Sequence, residues 1–280
     1  MPELTETQRR RGIAQRIVDA LASRTELRAT LLAGSVATGS ADEHSDIDLL
    51  NYYAELPDRE TFDRAVIEAG CERIGYIAQP RKEGFAARYL CDGIEVQTGG
   101  NDIAALEERL DRLAAGDVDW ITAKIAMGIL EGIPLYGDDL IGEWQRRAQY
   151  PESLRRREVE ANVGWFPIWA IDGHLAARDA ELFRRQMLIE GAFRVVAVLS
   201  AVNRLYFTTF QFKRAGEHAA ALRVKPERLT ERLDFIANAT PSEAADELGK
   251  LVAETKSIAK AELPEVDVDV AWRPDLRTGG

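Results

Sequence analysis

The chain has 280 residues, of which 46% are hydrophobic and 30% are charged, and this composition is that of a globular protein. The formal net charge of -11 weighs against a broad phosphate-binding surface, so nucleic acid is a disfavoured partner and a cationic small molecule would suit the chain better. Two cysteines without CxxC spacing and three histidines without a ligand pattern make a zinc site unexpected.

The amino-terminal stretch MPELTETQRRRG lacks the apolar core of a signal peptide. No run approaches the roughly 18 apolar residues of a membrane span. We therefore expect a cytoplasmic protein without a membrane partner.

Helical and strand patterns alternate in the first half of the chain. Residues 5–23 have apolar residues at helical spacing, which predicts an amphipathic first helix. LRATLLAG predicts a buried strand that ends at Gly34, and DIDLLNYYAEL predicts a second strand. A helix is expected from Pro57 to about Ala69. Its inward-facing side chains are expected to be Phe62, Val66 and Ile67.

Three short strands are expected next. CERIGYIAQ and GFAARYLC are rich in aromatic or β-branched residues and are joined by PRKE. A tight turn at Asp92-Gly93 leads into IEVQTG. Asp102 then caps a helix whose apolar residues recur at spacings of three and four.

The second half has a different character, because glycine becomes sparse and long helical patterns dominate from about residue 150. ELFRRQMLIEGAFRVVAVLSAVNRLYF and SEAADELGKLVAETKSIAKAEL are the clearest helices. The run RRR at 155–157 is interpreted as a solvated helix face. We predict a mixed α/β domain at 1–150 and a helical domain at 151–280.

Two aspartates interrupt the second predicted strand. Because successive side chains on a strand alternate between faces, Asp46 and Asp48 project together while Ile47 and Leu49 pack on the other side. Two carboxylates held about 7 Å apart by the backbone repel each other unless a cation lies between them. Hard oxygen ligands of this kind suit magnesium, which completes its coordination with water and substrate phosphates.

A glycine- and serine-rich segment precedes these aspartates. Gly34 allows close backbone approach to a phosphate, and the hydroxyl of Ser35 can hold a phosphate oxygen. GSVATG has the glycine spacing of a P-loop, but Ser40 and Ala41 stand where lysine and serine or threonine are required. The P-loop interpretation is therefore rejected.

The whole stretch GSVATGSADEHSDIDLL resembles the signature of the DNA polymerase beta-like nucleotidyltransferase superfamily, in its small antibiotic-modifying branch. The matching positions are Gly34, Ser35, Gly39, Ser45, Asp46, Asp48 and Leu49. This resemblance implies an α+β nucleotidyltransferase domain with a mixed sheet and flanking helices, followed by an all-α C-terminal helical bundle that binds the acceptor.

The superfamily also requires a third carboxylate from a later strand. Glu95 in GIEVQTG is the candidate, and Asp92 in the preceding turn is the alternative. The resemblance implies two Mg²⁺ ions held by Asp46, Asp48 and Glu95, with ATP or another nucleoside triphosphate as co-substrate. Glu95 would ligate the second ion, act as general base toward the acceptor hydroxyl, or do both.

Lys124 and Lys213 are candidate triphosphate ligands, although a solvated lysine is the simpler interpretation of each. Two aromatic segments of the helical half could line an acceptor pocket, although such spacing is more often that of a core. The first contains Trp165, Phe166 and Trp169 followed by Asp172, and the second contains Tyr206, Phe207, Phe210 and Phe212.

The leading functional hypothesis is transfer of a nucleoside monophosphate to a hydroxyl of a small molecule such as an aminoglycoside- or lincosamide-like antibiotic. Three alternatives stay open. The acceptor could be a tRNA or a protein, as in toxin-antitoxin nucleotidyltransferases, or the chain could be a non-catalytic nucleotide-binding module. A synthase that polymerises or cyclises nucleotides ranks lower, because such chains tend to be longer.

Overall fold

The computed structural model describes residues 5–210 and 212–272, apart from the side chains of residues 78–81. The chain divides into two compact units, Met1–Gln149 and Tyr150–Gly280. In the described part of the chain, no helix combines the length and the apolar character needed to cross a membrane.

The first unit contains both helices and strands. In chain order its elements are α1 (Glu6–Arg24), β1 (Leu27–Ala33), α2 (Gly34–Thr38), β2 (Ile47–Tyr53), α3 (Arg59–Glu68), β3 (Cys71–Arg81), β4 (Gly84–Cys91), β5 (Ile94–Asp102), α4 (Ile103–Ala114), α5 (Trp120–Glu131), β6 (Ile133–Tyr136) and α6 (Asp138–Arg147). The side chains of Thr5, Asp58 and Asp102 accept hydrogen bonds from the first turns of α1, α3 and α4, and the cap at Asp102 is the one predicted from the sequence.

The six strands form one mixed sheet in the order β3-β4-β5-β2-β1-β6. β2 and β5 are parallel, and every other neighbouring pair is antiparallel. In the parallel pair, Ile47 lies opposite Val96 and Asp48 lies opposite Gln97. This register brings two segments that are distant in sequence onto adjacent strands at the centre of the sheet.

Helices α1 and α3 cover one face of the sheet, which we call the covered face. Its buried hydrophobic cluster includes Ile13, Ile17, Leu21, Ile47, Leu49, Phe62, Val66, Tyr89 and Val96. On the opposite face α5 and α6 contact β1, and the ring of Tyr52 lies 4.8 Å from that of Trp144. The predicted burial of Ile67 is wrong, because this side chain is 51% exposed. The buried residues of α3 form a stripe of Phe62, Ala65 and Val66, and Ile67 lies beyond the edge of this stripe.

A disulfide joins Cys71, at the start of β3, to Cys91, at the end of β4. The two residues are direct partners in the antiparallel ladder, and their Cα atoms are 4.4 Å apart. Directly opposite residues of a non-hydrogen-bonded pair have this separation, so the ladder itself brings the sulfurs together. This bond was not predicted from the sequence.

The described elements of the second unit are helical. They are α7 (Glu152–Asn162), a π-helical turn (Ala170–His174), α8 (Glu181–Val202), α9 (Ala215–Ala221), α10 (Leu229–Asn238) and α11 (Pro241–Glu262). Helix α8 contacts both α7 and α11. The solvated face predicted at 155–157 is wrong for Arg155, which is buried and donates to the carbonyl of Val202 and to the carboxylates of Glu152 and Glu262.

Candidate active site

Strand β2 separates two kinds of side chain by simple alternation. Ile47 and Leu49 point into the covered face, whereas Asp46 and Asp48 lie half-buried on the opposite face, which we call the polar face. The parallel register that places Gln97 beside Asp48 brings Glu95 level with Asp46 one step earlier. The three carboxylates of the predicted set therefore share one face of the sheet.

Hydrogen bonds connect these side chains into one network. The Nε2 atom of Gln97 donates to Oδ2 of Asp46 at 2.8 Å and to Oε1 of Glu95 at 3.3 Å. Both oxygens of Glu95 also accept from Arg88, at 2.7 Å from Nε to Oε1 and 2.6 Å from Nη2 to Oε2. The hydrogen bonds from Arg88 lower the pKa of Glu95, so its carboxylate is ionised at neutral pH.

Gly34 brings the backbone after β1 against Asp48. It is the first residue of the short helix α2 and has a φ of 66°, a conformation that favours glycine. A Cβ atom at this position would clash with Oδ2 of Asp48. Ser35 follows, half-buried, so the predicted polar turn begins as a turn of helix.

Arg10 of α1 fixes the loop that leads into Asp46. Its side chain is buried, and it donates to the carbonyl of Ser45 at 2.8 Å and to that of Glu43 at 3.2 Å, while it pairs with Glu6. The sequence analysis missed this residue. A signal existed, because Arg10 precedes Ile13 by three positions and so continues the buried stripe of α1.

Two hydrogen bonds between Ser45 and Asp42 stabilise the same loop from within. The hydroxyl of Ser45 donates to Oδ1 of Asp42 at 2.8 Å and accepts from the Asp42 backbone N–H at 3.0 Å. The hydrogen bond from Ser45 lowers the pKa of Asp42. Ser45, one of the residues that carry the family resemblance, therefore shapes the loop before Asp46.

A buried polar network on the covered face fixes the strand register beneath the site. The hydroxyl of Thr30 donates to Oδ1 of Asn51 at 2.9 Å, and Nδ2 of Asn51 donates to the hydroxyl of Thr98 at 2.8 Å and the carbonyl of Gly99 at 2.9 Å. These contacts join β1, β2 and β5. Because a slip of one residue would leave these buried groups unpaired, the network holds Asp48 beside Gln97.

The structure does not bring every predicted residue into this cluster. Asp92 pairs with Nη2 of Arg16 at 2.9 Å, and Arg16 belongs to α1 over the covered face, so the alternative third carboxylate points away from Asp46. Lys124 is exposed on α5, a helix that contacts α2. Lys213 is exposed in the segment before α9 of the second unit.

The first aromatic segment of the second unit is divided between core and surface. Trp165 is buried, and its Nε1 donates to the carbonyl of Gly191 at 3.1 Å, so this side chain belongs to the core. Trp169 is 73% exposed. Asp172 lies 3.7 Å from the guanidinium of Arg184.

The second aromatic segment follows the end of α8. Tyr206 is buried, Phe210 is exposed, and the rings of Phe207 and Phe212 lie 5.1 Å apart. Both of these rings contact His218, whose pKa is lowered by burial. Tyr206 is therefore part of a packed interior, whereas Phe210 has a solvent-facing ring.

The donor set fits a hard cation only in part. Asp46 and Asp48 provide two half-buried carboxylates on one side of the sheet, and magnesium commonly takes one or two protein carboxylates. Within residues 5–210 and 212–272, no three or more histidine, cysteine, aspartate or glutamate side chains form a group suited to holding a metal ion. Glu95 is engaged by Arg88 instead.

A scan against protein-family models and a search of curated proteins give no match. Among solved structures, the chain is similar to a nucleotidyltransferase-like protein from Exiguobacterium sibiricum 255-15, with 14% sequence identity over 91% of this chain and 78% of that one. The TM-score of this superposition is 0.36.

Proposed function

We propose that the chain transfers a nucleoside monophosphate, from ATP or another nucleoside triphosphate, to a hydroxyl group of a small molecule and releases pyrophosphate. One observation carries this proposal: Asp46, Asp48 and Glu95 share a half-buried face of the sheet, and Gly34 lies directly against Asp48. Gly34, Asp46 and Asp48 are among the positions through which the sequence resembles the nucleotidyltransferase superfamily, and Glu95 is the candidate for its third carboxylate.

Asp46 and Asp48 would hold a divalent cation of the magnesium type. When bound, such a cation neutralises the triphosphate and fixes the position of its reacting phosphorus. The absence of a side chain at Gly34 lets phosphate oxygens approach the backbone, and the hydroxyl of Ser35 is a further donor. Lys124, exposed on α5 of the same unit, is proposed as an additional triphosphate ligand.

Glu95 is the proposed general base. The acceptor hydroxyl oxygen forms a bond to the α-phosphorus while the bond from that phosphorus to the bridging oxygen of pyrophosphate breaks. Pyrophosphate leaves with the electron pair of the broken bond, and the hydroxyl proton passes to the carboxylate of Glu95. The pairing with Arg88 holds this carboxylate ionised and in one orientation, and it also lowers the pKa of Glu95 and so its proton affinity.

The proposed acceptor is a small hydroxyl-bearing molecule of the aminoglycoside or lincosamide type. The net charge of -11 favours a cationic acceptor by long-range attraction. In the helical second unit, Phe210 and Trp169 have solvent-facing aromatic surface.

The test is incubation of the full chain with Mg²⁺ and each labelled nucleoside triphosphate against a panel of aminoglycosides, lincosamides, tRNA and protein. Pyrophosphate release that depends on one small acceptor and disappears in Asp48→Ala is the expected result. Full turnover by Asp48→Ala would refute the proposal, and label transfer to tRNA or protein alone would refute the acceptor class.

A matched pair of variants tests the choice of base. Glu95→Gln should abolish turnover, whereas Asp92→Asn should retain it. The control is conservative, because Asp92 has a φ of 52° and asparagine tolerates this left-handed conformation well. Loss of turnover in Asp92→Asn with full activity in Glu95→Gln would exchange the two assignments.

A further inference from the structure

Arg88 binds the carboxylate of Glu95, which the predicted two-ion site would need as a ligand for its second cation. It lies on β4 directly opposite Gln97 of β5 and diagonally across from Glu95. Its guanidinium donates hydrogen bonds to both carboxylate oxygens of Glu95. The Arg88 side chain is 45% exposed and that of Glu95 is 31% exposed. An ion pair this exposed contributes little to stability, so the fold itself does not require it.

The hydrogen bonds leave little of the Glu95 carboxylate available. A carboxylate offers about four lone pairs, two on each oxygen. Oε1 accepts from Nε of Arg88 and from Nε2 of Gln97, whereas Oε2 accepts from Nη2 of Arg88. This leaves one accepting position on Oε2, which matches the single hydroxyl proton that a general base must take.

A second divalent cation on Glu95 would meet a fixed positive charge. The arginine guanidinium stays protonated at any ordinary pH. The cation would have to displace Arg88 from the carboxylate or lie a few ångströms from its charge, where like charges repel. Asp46, in contrast, accepts a hydrogen bond from the neutral amide of Gln97.

We propose that Arg88 is a positioning residue that takes the place of the second divalent cation. It holds Glu95 with Oε2 directed to the acceptor hydroxyl, and the site consequently loads one divalent cation, on Asp46 and Asp48. This inference rests on the proposed function. Of the two roles predicted for Glu95, metal ligand and general base, it keeps only the general base.

Cation stoichiometry tests the inference without turnover. Mn²⁺ binding to the full chain is measured by electron paramagnetic resonance and calorimetry, with a saturating ATP analogue that carries a methylene group between the α- and β-phosphorus. We expect one Mn²⁺ per chain in the wild type and two in Arg88→Met, because Glu95 then becomes available. Arg88→Met combined with Glu95→Gln should return to one.

A matched control and a conservative variant complete the design. Arg73 is 44% exposed and pairs with Asp63, so Arg73→Met removes a comparable surface arginine and should still bind one Mn²⁺. Arg88→Lys keeps the positive charge but loses the bidentate hydrogen bonds to Glu95. This variant should therefore still bind one Mn²⁺, while its kcat falls about tenfold and its KM for the nucleotide is unchanged. Circular dichroism of each variant checks its folding.

The outcomes separate this inference from the proposed function. Two Mn²⁺ per wild-type chain, or one in a folded Arg88→Met, would overturn the inference alone. No Mn²⁺ on the wild type in the presence of the analogue would overturn the proposed function and the inference together.

Discussion

The two faces of the central sheet use the same strands for opposite purposes. On β2, Leu49 lies in the covered face at 1% exposure, and its neighbour Asp48 lies half-buried on the polar face. The covered face holds apolar side chains under α1 and α3, whereas the polar face holds three carboxylates and an arginine around Asp48 and the buried rings of Tyr52 and Trp144 farther along β2. Adjacent residues should therefore affect different properties, stability on one face and chemistry on the other.

The largest expected effect comes from the polar face. Asp48→Asn removes a charge that would hold the cation, and such a ligand contributes several kcal/mol to the transition state, so kcat/KM should fall by about 10³-fold or more. The free energy of unfolding should change far less than in a variant of the covered face, because Asp48 is half-buried and asparagine has nearly its shape. Turnover assays and urea denaturation measure the two quantities. A large loss of stability would contradict the separation of the faces.

The neighbouring residue gives the converse experiment. Leu49→Ala removes a fully packed side chain from the covered face and leaves a cavity, which should cost about 4 kcal/mol of unfolding free energy. The kcat of the remaining folded protein should stay within about twofold of the wild type, since the residue does not face the site. Denaturation in urea and activity at low temperature, normalised to folded protein, check this. A fall in kcat like that of Asp48→Asn would show that the two faces are coupled.

The disulfide links β3 and β4 covalently on the covered face. Cys71 and Cys91 are both buried there, and the bond closes a loop across 20 positions of sequence. On the chain-entropy account, loss of a bond of this loop size costs about 3 kcal/mol. Replacement of both cysteines by alanine should therefore lower the unfolding free energy by that amount while kcat is retained. Thiol alkylation with mass spectrometry establishes whether the wild-type bond is formed before the comparison is made.

The sequence predicted the faces of the sheet because alternation along a strand is a local property. Asp46 and Asp48 opposite Ile47 and Leu49 follow from period two alone, and the same rule assigned Glu95. The parallel pairing of β2 with β5 is different. It joins Asp48 to a residue 49 positions away, and only packing between distant segments fixes such a register.

Two of the missed residues differ in how far they were predictable. Arg88 could have been found, because the two-residue turn at Asp92-Gly93 fixes the hairpin register and so places Arg88 opposite Gln97. The burial of Arg10 follows from its place in the stripe of α1, but its hydrogen bonds to the loop before Asp46 could not have been predicted, since they depend on where α1 crosses that loop. A buried arginine also contradicts the usual expectation that charged side chains are exposed.

The smallest expected effect comes from Gly34, where strain and contact with the site can be separated. Gly34→Ala introduces a Cβ at a φ of 66°, which costs about 1 kcal/mol of stability, and this atom would also displace the carboxylate of Asp48. Gly39→Ala is the matched control, because Gly39 has a φ of 77° with no other atom within 4 Å of the added Cβ. Both variants should lose similar stability in urea, but only Gly34→Ala should lower kcat, by about tenfold, since displacement of a catalytic group by a fraction of an ångström weakens alignment. Equal losses of kcat in both variants would mean that the conformation of the loop, and not the contact with Asp48, makes glycine necessary at position 34.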